Sequence, residues 1–150
     1  MSTRLLFCGL LLIGAFQGSA EQTTLSVDNL LAGDNFDAQL DVTNNGSLDL
    51  NYALTTTITG NASLAQALML SVRARTTNSC AARDGTVLWS GALADAALGN
   101  PAHGVQAGDR HLAPGSSEAL CFTVELPDTA PATLHATAIG ATFLFQAEQA

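Results

Sequence analysis

The sequence contains no lysine; its five basic residues are Arg4, Arg73, Arg75, Arg83 and Arg110. That absence excludes Schiff-base chemistry on a lysine amine and lysine isopeptide cross-links, so any assembly must be non-covalent or use cysteine. A GC-rich coding bias, writing Arg and Ala where others write Lys, produces the same absence. Positive charge is scarce in general. Residues 21–150 hold four arginines against thirteen acidic residues, a net charge near −9. Such a balance disfavours nucleic acid and anionic membrane surfaces, which reward clustered positive charge. It favours solubility and mutual repulsion. An apolar run long enough to span a bilayer, about 20 residues, is also missing. The longest, Leu5 to Phe16, has twelve.

Catalytic signatures are missing too. No H-E-x-x-H and no G-x-S-x-G occurs, and no D-x-D-x-D-G calcium loop. His103, Asp109 and His111 share one loop, "HGVQAGDRH", but their spacing matches no strong metal-ligand pattern. Asp34, Asp37 and Asp41 could touch a calcium ion, and the remaining carboxylates are spread along polar strand faces. His135 is placed in the last strand, exposed or half-buried. The reading is therefore non-catalytic, with no cofactor, no metal and no small-molecule substrate. Asn45-Gly46-Ser47 and Asn61-Ala62-Ser63 are formal glycosylation sequons expected to stay unused behind a bacterial-style leader.

What is present begins with that leader. Arg4 supplies a positive start, Leu5 to Phe16 an apolar segment, and Gly18-Ser19-Ala20 the small residues read by a signal peptidase. Residues 1–20 are read as a cleaved signal peptide, with a retained anchor as the rival. Phe7 before Cys8 argues against lipid attachment. Residues 21–150 then form one domain, large enough to bury roughly two-thirds of its unfolded surface.

Two-residue periodicity dominates that domain. In "AGDNFDAQLDVTNNGSLDLNY" (32–52), Phe36, Ala38, Leu40 and Val42 share one face. Leu48, Leu50, Tyr52 and Leu54 repeat the pattern after Asn44-Asn45-Gly46-Ser47. The spacing predicts a hairpin or a pair of neighbouring strands, with Asn51 and Ala53 facing water. Further strands are expected at "MLSVRART", "GTVLWSG" (with the only Trp, Trp89), "EALCFTVELP" and "TLHATAIGATFLFQA", the last with a bulge at Gly140. "NASLAQALML" and "ALADAALGN" read as short helical caps, and 99–117 as loop. "LAGDNFDAQLDV" and "LAPGSSEALCFTV" echo each other weakly, as loops feeding equivalent strands of two packed sheets would. The fold class is all-β, an antiparallel β-sandwich of jelly-roll or immunoglobulin-like arrangement with short helical caps.

Outside the leader the cysteines are Cys80 and Cys121. An even pair in an exported chain is most simply a disulfide, here pinning the Cys80 loop over the outer face of a sheet. Free thiols or an intermolecular bridge are the alternatives.

"LLAGDNFDAQLDVTNNGSLDLNYAL", "GDRHLAPGSSEALCFTVELP" and "ATAIGATFLFQAEQ" together resemble the TasA/camelysin-type exported bacterial proteins over residues 25–150. The resemblance implies an extracellular or cell-surface structural or adhesive protein of biofilm-matrix fibres. Its partners would be its own copies or related matrix subunits, and it would meet the membrane only transiently, through the leader. Some relatives carry a metallopeptidase label. The resemblance also implies polymerisation by a lent N-terminal strand. Here that strand is "EQTTLSVDNL", namely Glu21, Gln22, Thr23, Thr24, Leu25, Ser26, Val27, Asp28, Asn29 and Leu30. A monomeric secreted or surface-tethered binding module on the same fold is the alternative, and a camelysin-like metallopeptidase the lesser one.

Overall fold

The computed structural model describes residues 5–6, 10–13, 19–77 and 79–149. Its strands are β1 (Leu5–Leu6), β2 (Leu10–Ile13), β3 (Ser19–Asp28), β4 (Asn35–Asn44), β5 (Leu50–Gly60), β6 (Met69–Ala74), β7 (Thr86–Ala92), β8 (Arg110–Leu112), β9 (Ser117–Glu125) and β10 (Ala138–Gln149). They form two sheets. Sheet A has the order β1-β3-β10-β5-β8 and sheet B the order β2-β4-β9-β6-β7. Pairing is antiparallel except where β2 runs parallel to β4. The fold is a β-sandwich with one short helix, α1 (Ala62–Ala67), and 3-10 turns at Cys80–Ala82, Leu93–Asp95 and Ala132–Leu134.

Alternation explains the core. Leu40, Val42, Leu120, Phe122 and Val124 of sheet B face Leu25, Leu54, Ala141, Phe143 and Phe145 of sheet A, all buried. Each large side chain so removed from water stabilises the fold by roughly 1.5–3 kcal/mol. Phe122 and Phe143 meet across the two layers with ring centroids 5.0 Å apart. Asn61 caps α1 by accepting the Leu64 amide, satisfying a donor the helix start leaves unpaired.

Several sequence expectations are corrected. β4 and β5 are not a hairpin and not neighbours, because they lie in opposite sheets. The Asn44–Leu50 segment is an arch between layers. Asn44 is fully buried at its base. Its amide donates to the Leu48 carbonyl (2.8 Å) and the Leu112 carbonyl (3.1 Å), and its side-chain oxygen accepts from Gly46 N (3.0 Å). The chain leaves β4's plane here, so Leu48 escapes the core and stands 50% exposed. Asn51 and Ala53, expected in water, are buried beneath the loop that follows Leu98. Gly140 makes no bulge; it pairs regularly with Ser26 and Thr59. β10 starts only at Ala138, so His135 precedes it. β8 interrupts the stretch 99–117. The two echoing segments feed β4 and β9, which are adjacent in one sheet.

Of the expected leader, residues 1–4, 7–9 and 14–18 lie outside the described residues; β1 and β2 flank β3 and β4 at the sheet edges. The expected cut after Ala20 falls within β3.

Candidate functional site

Among the described residues the longest connection between strands is 93–109, from β7 to β8, and its loop runs from Gly99 to Asp109. Long ordered loops on a rigid scaffold are where proteins concentrate recognition. Gly99 has φ +61°, and a Cβ there would collide with Asp109, so the two ends meet closely. Asp109 is the clamp. Its carboxylate accepts the amides of Asn100 (2.9 Å) and Gln106 (2.8 Å), while its own amide donates to the Gln106 carbonyl (3.2 Å). Gln106 Nε2 donates to the His103 carbonyl at 3.0 Å, bracing the interior. The result is a compact loop of Ω type. Its tip holds Val105, 70% exposed, and His103, whose side chain is 78% exposed.

The loop lies on the polar end of sheet A. His103 Nδ1 meets Glu148 Oε2 at 2.8 Å, tying the tip to β10. Between loop and sheet lies a cavity of about 70 Å³ lined by Asn51, Asn100, Asp109, Gln146 and Glu148 among others. That is far below the few hundred Å³ a small-molecule pocket usually offers. The loop is suited to present side chains outward rather than to enclose a substrate.

A second polar group closes the sandwich mouth beside the loop. Tyr52 is buried in the core, and its hydroxyl donates to Glu118 Oε1. Arg110 grips the same carboxylate through Nε (3.1 Å) and Nη2 (2.7 Å). β5 and β8 place Tyr52 opposite Arg110, and β9 brings Glu118 from the other layer. Burial, reinforced by the Glu118 charge and hydrogen bond, pushes the Tyr52 hydroxyl far above its ordinary range. The Glu118 hydrogen bond raises Arg110 further. Sequence reasoning missed this trio. The usable signal was Glu118 itself, two residues before inward-facing Leu120 and therefore on the inner face.

The sequence-derived candidates fall elsewhere. Cys80 and Cys121 are disulfide-bonded, with Cα atoms 5.4 Å apart, on the outer face of sheet B. Around them, Arg83 pairs with Asp37 at 3.2 Å, Arg75 donates to Gln39, and Thr123 donates to Asp37 at 2.6 Å. Asp34 accepts the Leu31 amide and Asp41 accepts from Gln39. The structure does not gather these three aspartates around a common point. His111 reaches Asn51 (3.2 Å) and Asp49 (3.8 Å), and His135 Nε2 accepts the Ala32 amide at 3.3 Å. Among the described residues no cluster of three or more His, Cys, Asp or Glu side chains is arranged to hold a metal.

The segment Glu21–Leu30, expected to be lent between subunits, sits within the chain's own sheet A. Its β3 portion pairs with β10 from Ala138↔Asp28 to Phe145↔Glu21, and Leu25, Val27 and Leu30 are buried in the chain's own core.

No family model and no curated protein matches the chain. Among solved structures it is similar to PliG of Aeromonas hydrophila, a periplasmic lysozyme inhibitor of g-type lysozyme. The two are 9% identical over 93% of this chain and 97% of that one, with a TM-score of 0.37. Salmonella Typhimurium PliG, also a periplasmic inhibitor of g-type lysozyme, matches at 9% identity over 93% and 98%, TM-score 0.37. A structure of infectious bursal disease virus, Gx strain, matches at 10% identity over 97% of this chain and 32% of that one, TM-score 0.34.

Proposed function

We propose that the protein is an exported, non-catalytic binding module that engages a protein partner through the Gly99–Asp109 loop. The observation that carries this reading is the clamped loop itself, with its ends fixed by Asp109 and its apolar tip residue Val105 held in water. Pre-ordering a loop lowers the entropy cost of binding, and an exposed apolar tip has surface to bury. The Cys80–Cys121 bond fits an oxidising compartment outside the cytoplasm. The test immobilises the protein and its Val105→Asp variant against the periplasmic and extracellular fractions of the source cell. A partner retained by the parent and lost by the equally folded variant supports the reading. Capture that ignores loop substitutions overturns it.

The second reading is a structural or adhesive matrix subunit of the TasA/camelysin kind. It is favoured by β7, an edge strand of sheet B with Val87 52% exposed, because open strand edges pair with other chains. The two readings separate in light scattering and electron microscopy at rising concentration. The binding module stays monomeric; the matrix subunit grows.

A further inference from the structure

A different surface, independent of the Gly99–Asp109 loop, has its own recognition chemistry. β5 is paired along its whole length with β10 on one side. On its other side it is paired only in part. β8 covers Leu50 to Tyr52, and Leu54 exchanges two backbone hydrogen bonds with Leu98, 2.9 and 3.0 Å. In an antiparallel ladder alternate residues direct their N–H and C=O groups to opposite sides. Asn61 N donates to the Ala138 carbonyl on the β10 side, so odd-numbered positions face β10 and even-numbered ones face away. Thr56, Ile58 and Gly60 therefore aim their backbone groups at the open side.

The chain's own covering segment departs at this point. Thr56 Oγ1 reaches the Ala96 carbonyl at 2.7 Å, and the backbone then turns off through Leu93–Asp95. Beyond it lies a groove of about 440 Å³ between the β5 edge and α1. Thr56, Ile58, Gly60, Ala62, Gln66 and Ala94 line it, and among the described residues its lining is uncharged.

We propose that this groove accepts an extended, uncharged peptide segment of a partner protein, which adds to sheet A as a strand beside Thr56–Gly60. Three features commit to that occupant. The edge offers alternating backbone donors and acceptors that only an extended peptide matches in series. The site continues the line on which Leu98 already pairs with Leu54, so the geometry of addition is set by the chain itself. The groove is neutral on a strongly acidic chain, which excludes an ion-paired ligand and favours small uncharged side chains against Ala62 and Ala94. At about 3.3 Å per residue the edge accommodates some four or five residues.

The test uses the purified chain, amide hydrogen exchange, and a capped pentapeptide of alternating threonine and valine. With the peptide at millimolar concentration, exchange at the Ile58 amide slows about tenfold, while β10-side amides are unchanged. The same peptide N-methylated at alternate residues gives no slowing. Gln66→Trp, which fills the groove from the exposed face of α1, abolishes the effect. In Ile58→Pro, which removes one edge donor without touching the β10 ladder, the slowing read at the Gly60 amide is lost too. Equal slowing by the N-methylated peptide, or none by either, overturns the proposal. Slowing that rises with protein concentration alone makes a second copy the occupant and likewise overturns it.

Discussion

Tyr52 offers an unusually clean measurement, because it is the only tyrosine and the chain has no lysine. Cys80 and Cys121 are bonded. In residues 21–150, no other side chain titrates between roughly pH 9 and 12. The Tyr52 hydroxyl donates to a carboxylate from inside the core, a bond class contributing about 1.5–3 kcal/mol. Tyr52→Phe leaves Glu118 to Arg110 and lowers stability by about 2 kcal/mol at pH 8. The pH dependence follows from the raised native value. The unfolded chain releases this proton near pH 10 and the native state keeps it. Stability is thus fully present below pH 10. It falls by about 1.4 kcal/mol per pH unit above that, because the native state binds one more proton. The phenylalanine variant has no such slope. The two stabilities converge and cross near pH 11.5, about 1.5 units above the unfolded-state titration. Urea unfolding followed by circular dichroism reads the crossing, and tyrosinate absorbance reads the proton directly. A tyrosinate midpoint near 10 in the folded protein, or parallel slopes for parent and variant, would refute the argument.

The remaining expectations concern the core, the arch and the disulfide. Leu40→Asp places an unpaired charge between the sheets and unfolds the domain, whereas Asp41→Asn, on the outer face, changes stability by less than about 0.5 kcal/mol; equal effects in denaturant titrations would contradict the register. Asn44→Ala removes the donor to the buried Leu112 carbonyl and the part-buried Leu48 carbonyl and costs about 1–3 kcal/mol in the same titrations, with Asn44→Asp worse because a carboxylate cannot donate to them; a loss under about 0.5 kcal/mol would show that water replaces the amide. Replacing both cysteines by serine opens a loop of 41 residues and lowers stability by roughly 4 kcal/mol on the chain-entropy model; an unchanged denaturation midpoint would show that the loop is held without it.

Which side of a strand is buried was legible wherever apolar and polar residues alternate. Leu40, Val42, Leu120, Phe122 and Val124 all face the core as their spacing requires. Which strand lies beside which was not. Asn44-Asn45-Gly46-Ser47 carries the turn chemistry of a hairpin, yet it bridges two layers. The same backbone bend serves either purpose, and only tertiary packing on Asn44 decides between them. Asn51 and Ala53 misled for a related reason: alternation reports two faces, but not that a loop 50 residues later will cover the outer one. The Cys80–Cys121 pair was readable from cysteine arithmetic and from the position of Cys121 between two inward residues. The Gly99–Asp109 loop was visible only as a stretch without periodicity, and its value lies in the Asp109 hydrogen bonds, which composition does not encode. The open half of the β5 edge depends on where Ala96–Leu98 stops, which no local pattern marks.

The central position of β10 has a kinetic consequence. It joins β3 on one side and β5 on the other, yet of the ten described strands it is the last in chain order. Until it emerges, β3 and β5 have no common partner, and the inner face of sheet A cannot close over Phe122 and Leu40. Productive collapse of the sandwich therefore waits for β10, and the long sequence separation between β3 and β10 makes it slow. Truncation within β10 should leave an aggregation-prone fragment rather than a smaller domain.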